Sequence, residues 1–520
     1  MLTLDSYAEG RWIAGSGAAV PLLDPTTEAV LAEARAGGID FGAALAFARN
    51  VGGPALRALT FEQRAHRLEA AVKALHAHRD ALIELAVENG GNTRGDAKFD
   101  IDGGFGTAMA YVAIGKTLGA RRTIVDGEAE ALTRGPRYVG QHIQSSVPGA
   151  AIHINAFNFP IWGLLEKLGP ALIAGVPVVA KPALPSALVA YRAVQLLVDA
   201  DILPRGALTV LFTEPDGLLD AALPGDVIAF TGSSATGRRI RSHAAVLDGS
   251  LRVNVEADSV NAGILGPTAE EETEDLFVRE AIREMTQKAG QKCTAIRRLV
   301  VPEEHLDRIT ERFVEGLSAV RTGDPRTTGV TVGPLMSAAQ RSRVQDGIAR
   351  LAEHASFVFG DGGRGHLVDV PGSAGFFVAP TLLRAPSLDT PVVHNDEVFG
   401  PVATLLPYDG SARQAADALR RGQGGLAASL YEEDKDFIGA VVEEAGAWVG
   451  RLNLGSAKIA AQSPGHGAVL PSSVHGGPGR AGGGQELGGR RGLDFYLQRT
   501  VLQGDRPLIE KVTGTGGGGT

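Results

Sequence analysis

From about residue 148 to 255 short β-rich runs alternate with helical ones, the β-rich runs lying at 151–154, 176–180, 208–212, 227–230 and 251–255. Strands separated by helices do not pair as hairpins. They pair in parallel with helices on both faces, and such a doubly wound sheet takes its ligands at the carboxyl ends of its strands. A second α/β stretch runs to about residue 477, with strands near 299–301, 357–359 and 404–406 and a helix over 306–320. It opens on Glu270-Glu271-Glu272, read as a solvated loop or helix start at a domain boundary. Upstream, Leu59, Phe61, Ala65, Leu68, Ala71 and Leu75 supply an apolar face to a helical layer over about 42–90. The glycine-rich stretch 465–492 predicts coil with tight turns, and 495–502 alternates as a closing strand.

At 520 residues the chain has room for about three lobes, at roughly 150 residues each. Its residues are 44 % hydrophobic and 21 % charged, which supports packed cores rather than disorder. A net charge of -9 with no basic block excludes a nucleic-acid footprint. The single cysteine excludes an internal disulfide, and the sequence has no Cys-x-x-Cys or local Cys/His cluster, so a reducing cytoplasm and no metal are expected. Asp5 and Glu9 near the start do not read as a signal peptide. The uncharged stretch 138–165 is broken by Pro148 and Pro160, so no membrane association is expected.

That one cysteine, Cys293, lies in Ala289-Gly290-Gln291-Lys292-Cys293-Thr294, directly after a run of helical spacing that Gly290 can stop. A free thiol is as readily a small buried hydrophobe as a nucleophile, but a thiol on a tight turn can reach a cleft. Glu256 ends the run 251–255, where it is either a salt-bridged glutamate or, partly desolvated, a base able to activate water. Asn158, in Ala156-Phe157-Asn158-Phe159-Pro160, is either a turn residue or an amide donor for an oxyanion. Thr231-Gly232-Ser233-Ser234-Ala235-Thr236-Gly237 links a strand to a helix, a turn whose N–H groups can approach a pyrophosphate.

Taken together, Asn158, Lys181 in Ala180-Lys181-Pro182-Ala183, the Phe230-Thr231-Gly232-Ser233 turn, Glu256, Gly290-Gln291-x-Cys293 and Glu397-x-Phe399-Gly400-Pro401 follow the order and approximate spacing of the aldehyde dehydrogenase superfamily, which the chain resembles from about residue 10 to 505. The resemblance implies an α/β, aldehyde dehydrogenase-like fold: a Rossmann-type cofactor domain from 1–127 and 147–264, an α/β catalytic domain from 265–477, a small β oligomerisation arm from 128–146 and 478–505, and a flexible tail over 506–520. The arm implies a homodimer or a higher homo-oligomer. It also implies that Cys293 attacks an aldehyde, in electropositive surroundings that ionise the thiol, while Asn158 stabilises the oxyanion and Glu256 activates the hydrolytic water. Lys181 would hold the adenosine ribose, Gly232 and Ser233 the pyrophosphate, and Glu397 with Phe399 the nicotinamide end, with Ile154, Asn155, Ala156, Phe157, Ala183 and Ala257 completing the cofactor contacts.

Two departures from the general family pattern stand out. Leu184 occupies a position where many NAD-preferring members carry glutamate, which implies NADP as cofactor, with NAD used less well. The family's Glu-Leu-Gly-Gly-Lys is replaced by Glu256-Ala257-Asp258-Ser259-Val260, which puts the backbone contacts after Glu256 in question. With His475-Gly476-Gly477-Pro478-Gly479-Arg480, these features resemble a narrow branch acting on CoA-linked semialdehydes in aerobic aromatic degradation, which implies 3,4-dehydroadipyl-CoA semialdehyde as substrate. A broad dehydrogenase for free aldehydes is the near alternative, and a non-catalytic binding or structural relative the remote one.

Overall fold

The computed structural model describes residues 1–515, and its two largest sheets each carry seven strands. In the first the order is Arg252–Glu256, Val227–Thr231, Ala151–Ile154, Val178–Lys181, Leu208–Val210, Ser6–Ala8 and Arg11–Ile13. The first five are parallel, and the N-terminal pair closes the edge as an antiparallel hairpin. Val178, Val179 and Ala180 are fully buried, as expected of a strand covered by helices on both faces. Chain order reverses on either side of Ala151–Ile154, so the crevice at its carboxyl end is the topological switch point, and residues 155–158 emerge into it.

The second sheet runs Ser356–Phe359, Thr381–Arg384, Val402–Tyr408, Ile296–Pro302, Asn261–Leu265, Ala428–Tyr431 and Leu452–Gly455, all parallel except the first, edge strand. Asn261–Leu265 is entirely buried between two strands of this sheet. The chain therefore crosses between sheets after Glu256 and before Asn261, earlier than the expected boundary after residue 264. No signal within 257–264 marks the change, because a buried parallel strand reads the same in either sheet.

A three-stranded antiparallel sheet joins Leu497–Asp505, Tyr138–Ser146 and Ile124–Ala131. Its first strand starts ahead of the expected residue 128. The expected flexible tail is corrected over Arg506–Thr513, which is a helix: Pro507 lies in its first turn, Ile509 is buried, and the Arg506 N–H donates to the Arg137 carbonyl. Residues 516–520 of that tail lie outside the described residues. The stretch expected as coil over 465–492 contains an antiparallel pair, Val474–Gly476 with Gln485–Leu487, in which His475 faces Glu486. Glycine permits the pairing: at Gly476 (φ +129°) an added Cβ would lie 2.1 Å from the Gly484 carbonyl oxygen. The N-terminal strands Leu2–Leu4, Ser16–Leu23 and Val30–Gly37 form a further small sheet. Among the described residues no helix is long and apolar enough to cross a membrane.

Candidate active site

The helix Glu271–Thr286 ends at a turn in which Lys288, Ala289 and Gly290 successively adopt φ of +54°, +52° and +69°. Two non-glycine residues in the left-handed region persist only where neighbours over-determine them. Here the Lys292 ammonium, 1 % exposed, donates to both oxygens of Glu284 at 2.9 and 2.8 Å and to Gln287 Oε1 at 2.7 Å. Lys288 Nζ donates to Asn92 Oδ1 at 3.0 Å. Gly290 has no alternative, since a Cβ would sit 2.1 Å from the Gly400 carbonyl oxygen. Asn261 Nδ2 then fixes the emerging chain by donating to the Cys293 and Ala295 carbonyls at 2.8 and 3.0 Å. Cys293 is left half-buried.

From the other sheet Glu256 arrives at the end of its strand, 2 % exposed. Its Oε2 lies 3.2 Å from His475 Nε2, and the same nitrogen lies 4.0 Å from Cys293 Sγ. Asn158, on the switch-point loop, donates its amide to the Gln291 carbonyl at 3.1 Å. Burial would raise Glu256, but His475 and then Lys167 outweigh it and hold its carboxyl well below the usual range. Burial would lower His475, and the Glu256 carboxylate overrides that and raises it. Burial pushes the Cys293 thiol well above its usual value, and the adjacent Glu256 carboxylate pushes it further. In place of the expected electropositive surroundings, the charged group that bears most on the sulfur is the Glu256 carboxylate, and His475 Nε2 adjoins both.

Two cavities meet at Cys293, Glu256, Asn158, Ala156 and Thr231. The smaller, about 520 Å³, is walled by Phe99, Phe159 and Trp162, whose rings meet edge to face with centroids 5.2–6.0 Å apart. The larger, about 1480 Å³, takes in Phe157, Ala183, Gly232, Ser233, Ala257, Glu397 and Phe399.

A model of the aldehyde dehydrogenase family matches residues 12–502. The chain belongs to that family. The 3,4-dehydroadipyl-CoA semialdehyde dehydrogenase of Aromatoleum evansii is 44 % identical to it over 480 residues, covering 92 % of this chain and 93 % of that one. The NADP(+) succinate-semialdehyde dehydrogenase GabD of Escherichia coli (strain K12) is 28 % identical over 444 residues, covering 84 % and 86 %. A solved structure of 3,6-anhydro-L-galactose dehydrogenase shares the fold with a TM-score of 0.84 at 22 % identity, covering 97 % of this chain and all of that one. Like other aldehyde dehydrogenases, this chain is an oxidoreductase acting on aldehydes.

The larger cavity suits the dinucleotide that the family uses. It opens at the switch point, and at Gly232 a Cβ would fall 2.6 Å from the Phe230 ring, so the turn must be bare. Burial raises the Glu397 carboxyl to about 7. Asn155, expected at the cofactor, lines the smaller cavity. Ile154 and Lys181, also expected at the cofactor, line neither cavity and are register partners at their strands' carboxyl ends.

Several residues at this aldehyde dehydrogenase site had no role of their own in the sequence reading. Asp258 Oδ1 accepts the Ser234 N–H at 3.0 Å, so a carboxylate stands at the helix end expected to meet the pyrophosphate. Lys167 pairs with Glu166 at 2.9 Å and Glu486 at 3.1 Å, and its charge bears on Glu256. His475 stood in the sequence only within the His475-Gly476-Gly477-Pro478-Gly479-Arg480 run that resembles the narrow branch, with no role of its own.

Proposed function

We propose that this aldehyde dehydrogenase oxidises a CoA-linked semialdehyde, 3,4-dehydroadipyl-CoA semialdehyde or a close analogue, to its carboxylic acid, with NADP as cofactor. The observation that carries the chemistry is the convergence of Cys293, Glu256 and Asn158 where the two cavities join. The Cys293 S–H bond breaks, its proton passing by way of the adjacent Glu256 carboxylate to solvent, as Sγ forms a bond to the aldehyde carbon and the carbonyl π pair moves to oxygen, where the Asn158 amide can donate in place of its present bond to Gln291. The dinucleotide, when bound, supplies the two-electron acceptor. The product on the protein is a thioester of Cys293. Glu256, held as the carboxylate, takes a proton from water, whose oxygen adds to the thioester carbon as sulfur leaves, and the acid is released.

The choice of substrate is supported by the Aromatoleum evansii relative, which matches nearly the whole chain. NADP as cofactor is supported by Leu184, buried where a carboxylate would oppose a 2′-phosphate. Glu214 and Asp216 act the other way: burial lowers the Lys181 pKa and these two carboxylates partly offset it, and negative charge bearing on that site opposes a 2′-phosphate. The aromatic wall of the smaller cavity favours a second reading, oxidation of free aliphatic or aromatic aldehydes. Assaying NADP+ and NAD+ reduction against free aldehydes and CoA-thioester semialdehydes decides both points. Higher kcat/KM for the free aldehydes would overturn the CoA-linked reading, and higher kcat/KM with NAD+ would overturn the NADP reading. We propose further that the sheet of Leu497–Asp505, Tyr138–Ser146 and Ile124–Ala131 is the oligomerisation arm, to be checked by the mass of the protein in solution.

A further inference from the structure

The sequence holds no local Cys/His cluster, yet the fold assembles a three-residue ligand set from segments far apart in the chain. Glu256, Cys293 and His475 each present one ligating atom, and the three atoms lie within 4.8 Å of one another. His475 Nε2 stands 3.2 Å from the Glu256 oxygen and 4.0 Å from the Cys293 sulfur. Zinc bonded tetrahedrally at about 2.0–2.3 Å holds nitrogen, oxygen and sulfur ligands roughly 3.3–3.6 Å apart. The nitrogen–oxygen edge already matches, the nitrogen–sulfur edge has to close by about half an ångström, and the sulfur–oxygen edge lies within 4.8 Å. Two further atoms of the set, Glu256 Oε1 and His475 Nδ1, are buried without a hydrogen-bond partner among the described residues. The cavities on either side leave a fourth position open to water.

We infer that Glu256, Cys293 and His475 form a binding site for a thiophilic divalent cation of the zinc type, which shuts the enzyme off reversibly. On binding, the Cys293 S–H bond breaks and its proton passes to solvent, as does the hydrogen that His475 Nε2 shares with the Glu256 carboxylate, and the neutral imidazole keeps its proton on Nδ1. The thiolate, the Nε2 lone pair of neutral His475 and a Glu256 oxygen each bond the cation, and no electrons are transferred. Inhibition follows because the sulfur and the carboxylate that the proposed function assigns to attack and to hydrolysis are both occupied, so the inhibitory consequence rests on that reading. The binding site itself does not. Thiolate and imidazole ligands select zinc-like ions over magnesium or calcium, which prefer oxygen.

Cobalt(II) added to the chelator-treated, cofactor-free full chain tests the site without any turnover. The expected result is one equivalent bound, with a near-ultraviolet thiolate-to-cobalt charge-transfer band and the intense visible bands of a tetrahedral ion. Prior alkylation of Cys293 with iodoacetamide, which requires no mutation, should abolish the charge-transfer band. Zinc should inhibit aldehyde oxidation reversibly on addition of chelator, and His475→Gln should raise the half-inhibiting zinc concentration at least about tenfold, given that even outer partners of metal ligands change affinity 10- to 100-fold. Cobalt binding without the thiolate band, or equal zinc inhibition of wild type and His475→Gln, would overturn the site. Aldehyde oxidation surviving in Cys293→Ala would instead overturn the proposed function and leave the cobalt result standing.

Discussion

Lys292→Met removes the cation that anchors the nucleophile's turn, and its effect can be worked from the geometry. Lys292 and Glu284 are both nearly inaccessible, at 1 % exposure each, and both carboxylate oxygens accept from the one ammonium at 2.8–2.9 Å. Deleting one partner leaves an uncompensated buried charge, which destabilises by about 3–5 kcal/mol. The Gly467 N–H still donates to Glu284 at 3.2 Å, which favours the lower end of that range. The sign of the pH dependence follows from the same pair. In the wild type, burial would raise Glu284 but Lys292 overrides it and lowers its pKa. The stability this confers is therefore present above the unfolded carboxyl value, about 4.3, and is lost as pH falls through the lower folded value. In the variant, burial acts unopposed by Lys292 and the carboxyl rises, so Glu284 takes up a proton and the deficit narrows between about pH 7.5 and 5.5. Urea midpoints at these two pH values, converted with a common m-value, measure the deficit. A second change, Glu284→Gln, should restore most of the loss because the amide oxygen still accepts from Gly467. A deficit below about 1 kcal/mol at pH 7.5, or one that does not change with pH, would refute the reasoning.

Three catalytic outcomes follow from the site. Glu256→Gln should give one burst of reduced cofactor per active site, then a steady rate about 10²–10⁴ lower, and stopped-flow absorbance with mass measurement of the acylated protein checks this. Full steady turnover in that variant would remove Glu256 from hydrolysis. Cys293→Ala should eliminate the burst itself, and a surviving burst would exclude a covalent route. Asn158→Ala should lower kcat by about 10²–10³ through loss of one oxyanion donor, and a change confined to KM would count against that role.

The sequence was most informative where the signal is local. Apolar runs of four or five residues located Ala151–Ile154 and Val227–Thr231, and helical spacing located Leu306–Ser318 to within two residues. The motifs bearing Cys293, Glu256 and Asn158 were legible for the same reason, since each is a short segment with its own turn or strand end. Arg506–Thr513 was less legible because the contact that orders it, Ile509 against the arm, comes from elsewhere in the chain. Strand order, and with it the crossover between sheets at 256–261, rests on pairings that composition does not encode.

Sequence alone thus determined a doubly wound parallel architecture and a nucleophile on a tight turn, because backbone geometry and burial impose their periods on neighbouring residues. Only the tertiary structure decided that His475, 182 residues beyond Cys293, stands beside both it and Glu256, and that Glu284 and Lys292 lock the turn from within. Charges interact over a few ångströms of space regardless of their separation along the chain. The environment of the thiol is therefore fixed only when the two sheets pack, and there an anion rather than a cation proves to be its dominant charged neighbour.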